Sequence, residues 1–174
     1  MAEISFRRRV IVIAVAALLA LAADQVTKHW ARSSLKGRAP IVLVKGYLEL
    51  EYHENPGAAF GLLRNVPGAR YILLGVGIAA LVLVGSMVRK VERRHTWADV
   101  GFGLVLGGAL GNIADRIFVG RVVDFVLMHW QRKYTWPAYN VADAALVAGV
   151  ALLILVLGRK PEEAEGKPGK RKKK

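Results

Sequence analysis

Residues 100–116 read VGFGLVLGGALGNIADR: an apolar, glycine-rich segment that runs without a break into Asn112, Asp115 and Arg116. A helix that crosses a bilayer needs about 20 residues. The apolar part, Val100 to Gly111, is too short by itself, so the helix must continue through Asn112 and Asp115. That carries polar and charged side chains to membrane depth, where they are costly and usually retained for function. Gly103, Gly107 and Gly111 recur every four residues, which lets a neighbouring helix approach closely. Gly108, Asn112 and Arg116 form a second row at the same spacing, and Asp115 follows Asn112 by three.

The same arrangement recurs along the chain. Apolar runs lie at Val10 to Ala23, Tyr71 to Val88 and Val141 to Gly158. The first must take in Asp24 to Trp30 to reach spanning length, whereas the second is long enough with its flanks. The last begins with a polar cluster, Asn140 and Asp143. Asp24 and Lys28, four apart, share a helix face and form an ion pair. The first run could instead be read as a cleaved signal peptide, since it has a basic start and an Ala20-Leu21-Ala22 step. Cleavage would discard a span whose polar end matches the others.

Of the 174 residues, 54% are hydrophobic, yet 26 Lys and Arg stand against 13 Asp and Glu, for a net charge of +13. The cations flank the apolar runs (Arg7 to Arg9; Arg89, Lys90, Arg93 and Arg94; Arg159, Lys160 and the terminal lysines), which is a topology signal and not a nucleic-acid patch. The expectation is an all-α polytopic membrane protein: one domain over 1–160 with four transmembrane helices, and a basic, disordered cytoplasmic tail over 161–174 that can sit against anionic lipid. The basic loops place both termini in the cytoplasm, and the clusters ending the first and third spans and opening the fourth then meet at the outer face. Cysteine is absent, which excludes disulfides, thiolate metal sites and a cysteine nucleophile.

Two outer segments complete the chain. Leu48, Leu50 and Tyr52 alternate with Glu49, Glu51 and His53, which predicts a strand in a small β-rich region over about 36–62. Asn55-Pro56-Gly57-Ala58-Ala59-Phe60-Gly61 follows as a turn-rich stretch. An outer loop is expected over about 117–138, with Trp130 and Trp136 as interfacial anchors.

Asp124 sits in that loop within the apolar run Val122-Val123-Asp124-Phe125, and Asp143 lies about one turn into the last span among small apolar residues. Carboxylates in such settings are partly desolvated. If the two face each other they share one proton, an arrangement suited to amide hydrolysis: one carboxylate activates water and the protonated partner polarises the carbonyl. No cofactor or metal is required. The four histidines lack ligand spacing, and the serines lack a nucleophile-elbow context. Asp115 and Arg116 read as a structural network or a substrate clamp. Asp99, three after Thr96, reads as a helix cap.

Together, Asp24-Gln25-x-x-Lys28, Asn55-Pro56-Gly57-Ala58-Ala59-Phe60, Gly107-Gly108-Ala109-x-Gly111-Asn112-x-x-Asp115-Arg116, Val122-Val123-Asp124-Phe125 and Asn140-Val141-Ala142-Asp143 resemble the bacterial lipoprotein signal peptidase family, signal peptidase II. The resemblance implies a four-helix inner-membrane aspartic endopeptidase that cleaves prolipoproteins before a diacylglyceryl-modified cysteine. It implies Asp124 and Asp143 as the catalytic dyad, and Asp24, Lys28, Asn55, Gly108, Asn112, Asp115, Arg116 and Asn140 as supporting or lining residues. It also implies binding of globomycin-type inhibitors. A monomer suffices, because the site needs only one chain. The rival reading is a small proton-coupled transporter with the Asp cluster as relay, against which stands the almost wholly apolar middle of each run.

Overall fold

The computed structural model describes residues 6–56, 66–90 and 95–158. In chain order the elements are helix α1 (Phe6–Ser34), strands β1 (Ile41–Val44) and β2 (Leu48–Asn55), helices α2 (Ala69–Lys90) and α3 (Thr96–Phe118), strands β3 (Val122–Trp130) and β4 (Tyr134–Thr135), and helix α4 (Val141–Leu157). Three helices, α1, α2 and α3, are long and apolar enough to cross a membrane. The fourth is apolar but only 17 residues long. Gly57 to Gly61 and the basic tail from 159 onward lie outside the described residues.

Both short apolar runs extend as their length required. α1 has 29 residues and carries Asp24 and Lys28 within it. α3 has 23 residues and continues through Asn112, Asp115 and Arg116. α3 is the central helix, packing on α1, α2 and α4. Its glycines make this possible. A Cβ at Gly103 would meet the Ala16 Cβ at 2.5 Å, and one at Gly108 would meet the Ala142 carbonyl oxygen at 2.5 Å. The Gly103/Gly107/Gly111 row thus seats α1, while Gly108 seats α4. The outward sides of the helices remain apolar: Leu18 and Leu19 on α1, Val82 and Leu83 on α2, and Ile154 and Leu155 on α4 are all exposed, as suits contact with lipid chains.

The capping expected of Asp99 is corrected. His95 is the N-cap of α3 and accepts a hydrogen bond from Trp97 N. Asp99 is instead buried and pairs with Arg9 of α1, Nε to Oδ1 2.9 Å. A buried carboxylate of this kind needs a cation more than a helix needs a second cap.

The expectation of an outer loop before α4 is also corrected. Residues 122–130 form the nine-residue strand β3, which joins β2 and β4 in a four-stranded antiparallel sheet of order β1-β2-β3-β4. The molecule is therefore a helix bundle with a small sheet. β2 and β3 lie in a register that puts His53 opposite Asp124 and Asn55 opposite Val122. Val123 and Phe125, on one face of β3, pack with Ala31 of α1, with Leu35 just after it, and with Leu50 and Tyr52 of β2, and the Trp30 and Phe125 rings meet edge-on at 6.3 Å. The C-terminal end of α1 is thus bolted to the sheet, which turns Asp124 to the opposite face. The predicted strand forms, although its most buried residue is Glu49, held by His129 and Arg132 and not by apolar packing.

Candidate active site

Four carboxylates, three cations and three amides converge where the ends of α1, α3 and α4 meet the sheet. Asp24 and Lys28 do pair directly, Oδ2 to Nζ 2.9 Å, with both side chains fully buried. Lys28 Nζ also donates to Asn112 Oδ1 (3.0 Å) and lies 3.2 Å from Asp115 Oδ2, so all three of its N–H groups are engaged. Asp24 Oδ1 accepts from the Ala142 backbone N–H at 2.9 Å, tying α1 to the first turn of α4.

Asp115 is 1% exposed and does not take Arg116 as its partner. Its cations are Lys28 and Arg32 Nη2, the latter 2.7 Å from Oδ1. Its Oδ2 accepts from Val123 N at 3.1 Å and so holds the residue before Asp124. Arg116 donates to the carbonyl of Asn112 at 3.1 Å, and its guanidinium lies within electrostatic reach of Asp143, Asp124 and Asp115. Arg32 was missed by motif reasoning. Its signal was present in the chain: Asp24, Lys28 and Arg32 follow one another at intervals of four on one face of α1.

Asn112 and Asn140 connect the two remaining carboxylates. Because a lysine can only donate, Asn112 must turn its oxygen to Lys28, which leaves its Nδ2 to donate to Asp143 Oδ1 at 2.8 Å. Asn140 is fully buried. Its Nδ2 donates to Asp124 Oδ1 (2.6 Å) and lies 3.2 Å from Asn112 Oδ1. Asn55 donates to the other oxygen of Asp124 at 3.1 Å. Asn140 and Asp143 also form a capping box at the start of α4, each side chain accepting from the other's backbone N–H. Asp143 is therefore not the isolated carboxylate its sequence surroundings suggest. It is a half-exposed group held by the helix start itself.

Asp124 is 3% exposed. Burial pushes its carboxyl up to about 6, and the Asp143 charge adds to the rise, while the N–H donors of Asn55 and Asn140 and the Lys28 charge pull it down. A buried acid that titrates near neutrality beside a half-exposed carboxylate can share one proton with it and do acid–base work on a bound substrate or water. Among the described residues, no group of three or more His, Cys, Asp or Glu side chains is arranged to hold a metal. Gly108 takes no part in these bonds; it sets the approach of α4, and with it the place of Asp143.

Residues 16–158 match the family model described as Signal peptidase (SPase) II. A lipoprotein signal peptidase of Symbiobacterium thermophilum is 44% identical over 145 residues, covering 82% of this chain and 91% of that protein. One of Pseudomonas putida is 40% identical over 141 residues, covering 79% and 81%. Among solved structures, a bacterial membrane enzyme determined by the in meso method at 2.3 Å resolution superposes with a TM-score of 0.74 at 29% identity, over 90% of this chain and 93% of that one. A second, at 1.9 Å resolution, gives 0.71 at 30% identity, over 82% and 90%.

Proposed function

The chain belongs to the signal peptidase II family, and from that membership we propose that it is an aspartic endopeptidase removing signal peptides from prolipoproteins, with Asp124 and Asp143 as the catalytic pair. The observation that carries the reading is the link between the two carboxylates through Asn140 and Asn112, with Asp124 held near neutrality by burial. In the proposed step the ionised member of the pair takes a proton from water. The water oxygen attacks the scissile carbonyl while the protonated member donates to the carbonyl oxygen. On collapse of the tetrahedral intermediate the carboxyl that took the water proton gives it to the leaving nitrogen, and the other carboxylate takes a proton back from the intermediate's hydroxyl. This releases the new amine and carboxyl ends and restores the pair. Asn55, Asn112 and Asn140 fix the two carboxylates. Lys28 fixes Asn112, Asp115 fixes the strand, Asp24 holds Lys28 and the start of α4, and Arg116 stands beside the pair as a cation available to substrate.

The scissile bond precedes a diacylglyceryl-modified cysteine. Its acyl chains suit the apolar sides of the bundle and hold the bond at the outer face of the cytoplasmic membrane. In this reading all four helices span, both termini are cytoplasmic, one chain is sufficient, and globomycin-type inhibitors occupy the same site. The test is cleavage of a lipid-modified prolipoprotein by the purified protein. Asp124→Asn and Asp143→Asn should each lose about 10²–10⁴-fold in rate, and either variant working at near wild-type rate would overturn the assignment.

A further inference from the structure

We propose that Arg32 is a positioning residue for this hydrolysis, one that completes the charge balance of the buried cluster and so sets the pH range in which the Asp124/Asp143 pair carries a single proton. The inference rests on the proposed function and goes beyond it, since none of the five sequence stretches that carry the family resemblance contains Arg32.

The charges at the site can be counted. Asp24, Asp115, Asp124 and Asp143 are four carboxylates; Lys28, Arg32 and Arg116 are three cations. One negative charge remains, and one proton on the Asp124/Asp143 pair neutralises it. Without Arg32 the deficit becomes two, and the added net negative charge opposes ionisation of the pair. The other charged and titratable groups nearby are Lys36 in the turn after α1, Tyr52, His53 and Glu54 on β2, and Arg121 before β3. Lys36 and Arg121 both pair with Glu54 on the solvent side, where they are 61% and 52% exposed. Tyr52 donates to the same Glu54, and His53, 39% exposed, has Glu51 as its carboxylate neighbour at 3.9 Å. Solvent screens that rim, whereas the Arg32–Asp115 bond ends on a side chain that is 1% exposed. The same bond has a geometric consequence. Arg32 holds one oxygen of Asp115, and the other accepts from Val123 N, next to Asp124 in β3.

The experiment is the pH profile of kcat/KM on a lipid-modified prolipoprotein for wild type, Arg32→Gln, Arg32→Lys and the double variant Arg32→Gln/Asp115→Asn. In Arg32→Gln the alkaline limb, where the pair loses its last proton, should move up by about half to one pH unit, the size expected for a unit charge removed from roughly 10 Å away at an effective dielectric of about 20–40. Relative to its own optimum, Arg32→Gln then cleaves several-fold better than wild type above about pH 7. Arg32→Lys keeps the charge and the wild-type limb. The double variant restores the charge count and brings the limb back. A uniform loss at every pH, or a double variant displaced as far as Arg32→Gln, would overturn the proposal. Should Arg32→Gln lose its cooperative melting transition, the double variant decides: a wild-type limb supports the proposal and an upward-shifted one refutes it. Wild type that fails to cleave, or Asp124→Asn that cleaves normally, would instead refute the proposed function.

Discussion

Asn55 shows how a single amide can govern a carboxyl. Its Nδ2 donates to Asp124 Oδ2 at 3.1 Å and favours the ionised form, against burial, which favours the neutral one. Removing the donor in Asn55→Ala should raise Asp124 further above about 6. The singly protonated pair would then persist to higher pH, with the alkaline limb of the pH–rate profile displaced upward by about half a unit or more. A pH–rate profile with an unmoved limb would contradict this. Glu54 gives the opposite sign. Lys36, Tyr52 and Arg121 hold its carboxyl down at about 2, so its stabilisation is present above the ordinary carboxylate range and is lost as the pH falls through about 2. Glu54→Gln should melt below wild type at pH 7, and the gap should narrow as the pH is lowered from about 4.5. A gap that is independent of pH would show that the charge is not involved. Of these residue-scale bonds, Asp24–Lys28 was legible from spacing alone. The preference of Asp115 for Arg32 over its neighbour Arg116 was not, because adjacent residues on a helix point about 100° apart and Asp115 faces α1.

Among the elements, α3 carries the arrangement. Its glycines let α1 and α4 come close enough for Asn112 to reach Lys28 on one side and Asp143 on the other. A Cβ at Gly108 would meet the Ala142 carbonyl oxygen and the Leu146 side chain. Gly108→Val should therefore push α4 away, at a cost of about 1–3 kcal/mol from overpacking. Its melting temperature should fall, and cleavage should fall further than the loss of folded protein explains, because Asp143 moves with α4. Thermal melts and rates normalised to folded protein check this together; a proportional loss of both would confine the effect to stability. Extension of α1 and α3 through their polar ends followed from the length a span requires. The strand at Asp124 did not, since an apolar run with one carboxylate reads equally as a loop or a covered strand, and only pairing with β2 separates the two.

At the scale of the whole molecule, the proposed topology puts the sheet outside and the α2–α3 connection inside. The chain contains no cysteine, so an introduced one is a unique label. In intact cells Lys45→Cys should react with an impermeant maleimide, and Lys90→Cys should react only after the membrane is opened; the reverse pattern would invert the topology. The sequence by itself determined the membrane character, the number of apolar helices and the polar residues that had to lie at their ends. These follow from composition and from about 1.5 Å of rise per helical residue against a fixed hydrocarbon thickness. Only the tertiary structure decided which polar group meets which: that Asp115 answers to Arg32, that Asp99 answers to Arg9 and not to a helix end, and that Asp124 rides on a strand. The physical reason is that a buried charge takes whichever partner the packing brings within hydrogen-bonding distance. Here that packing is set by glycine contacts between helices and by a sheet joining segments far apart in the chain.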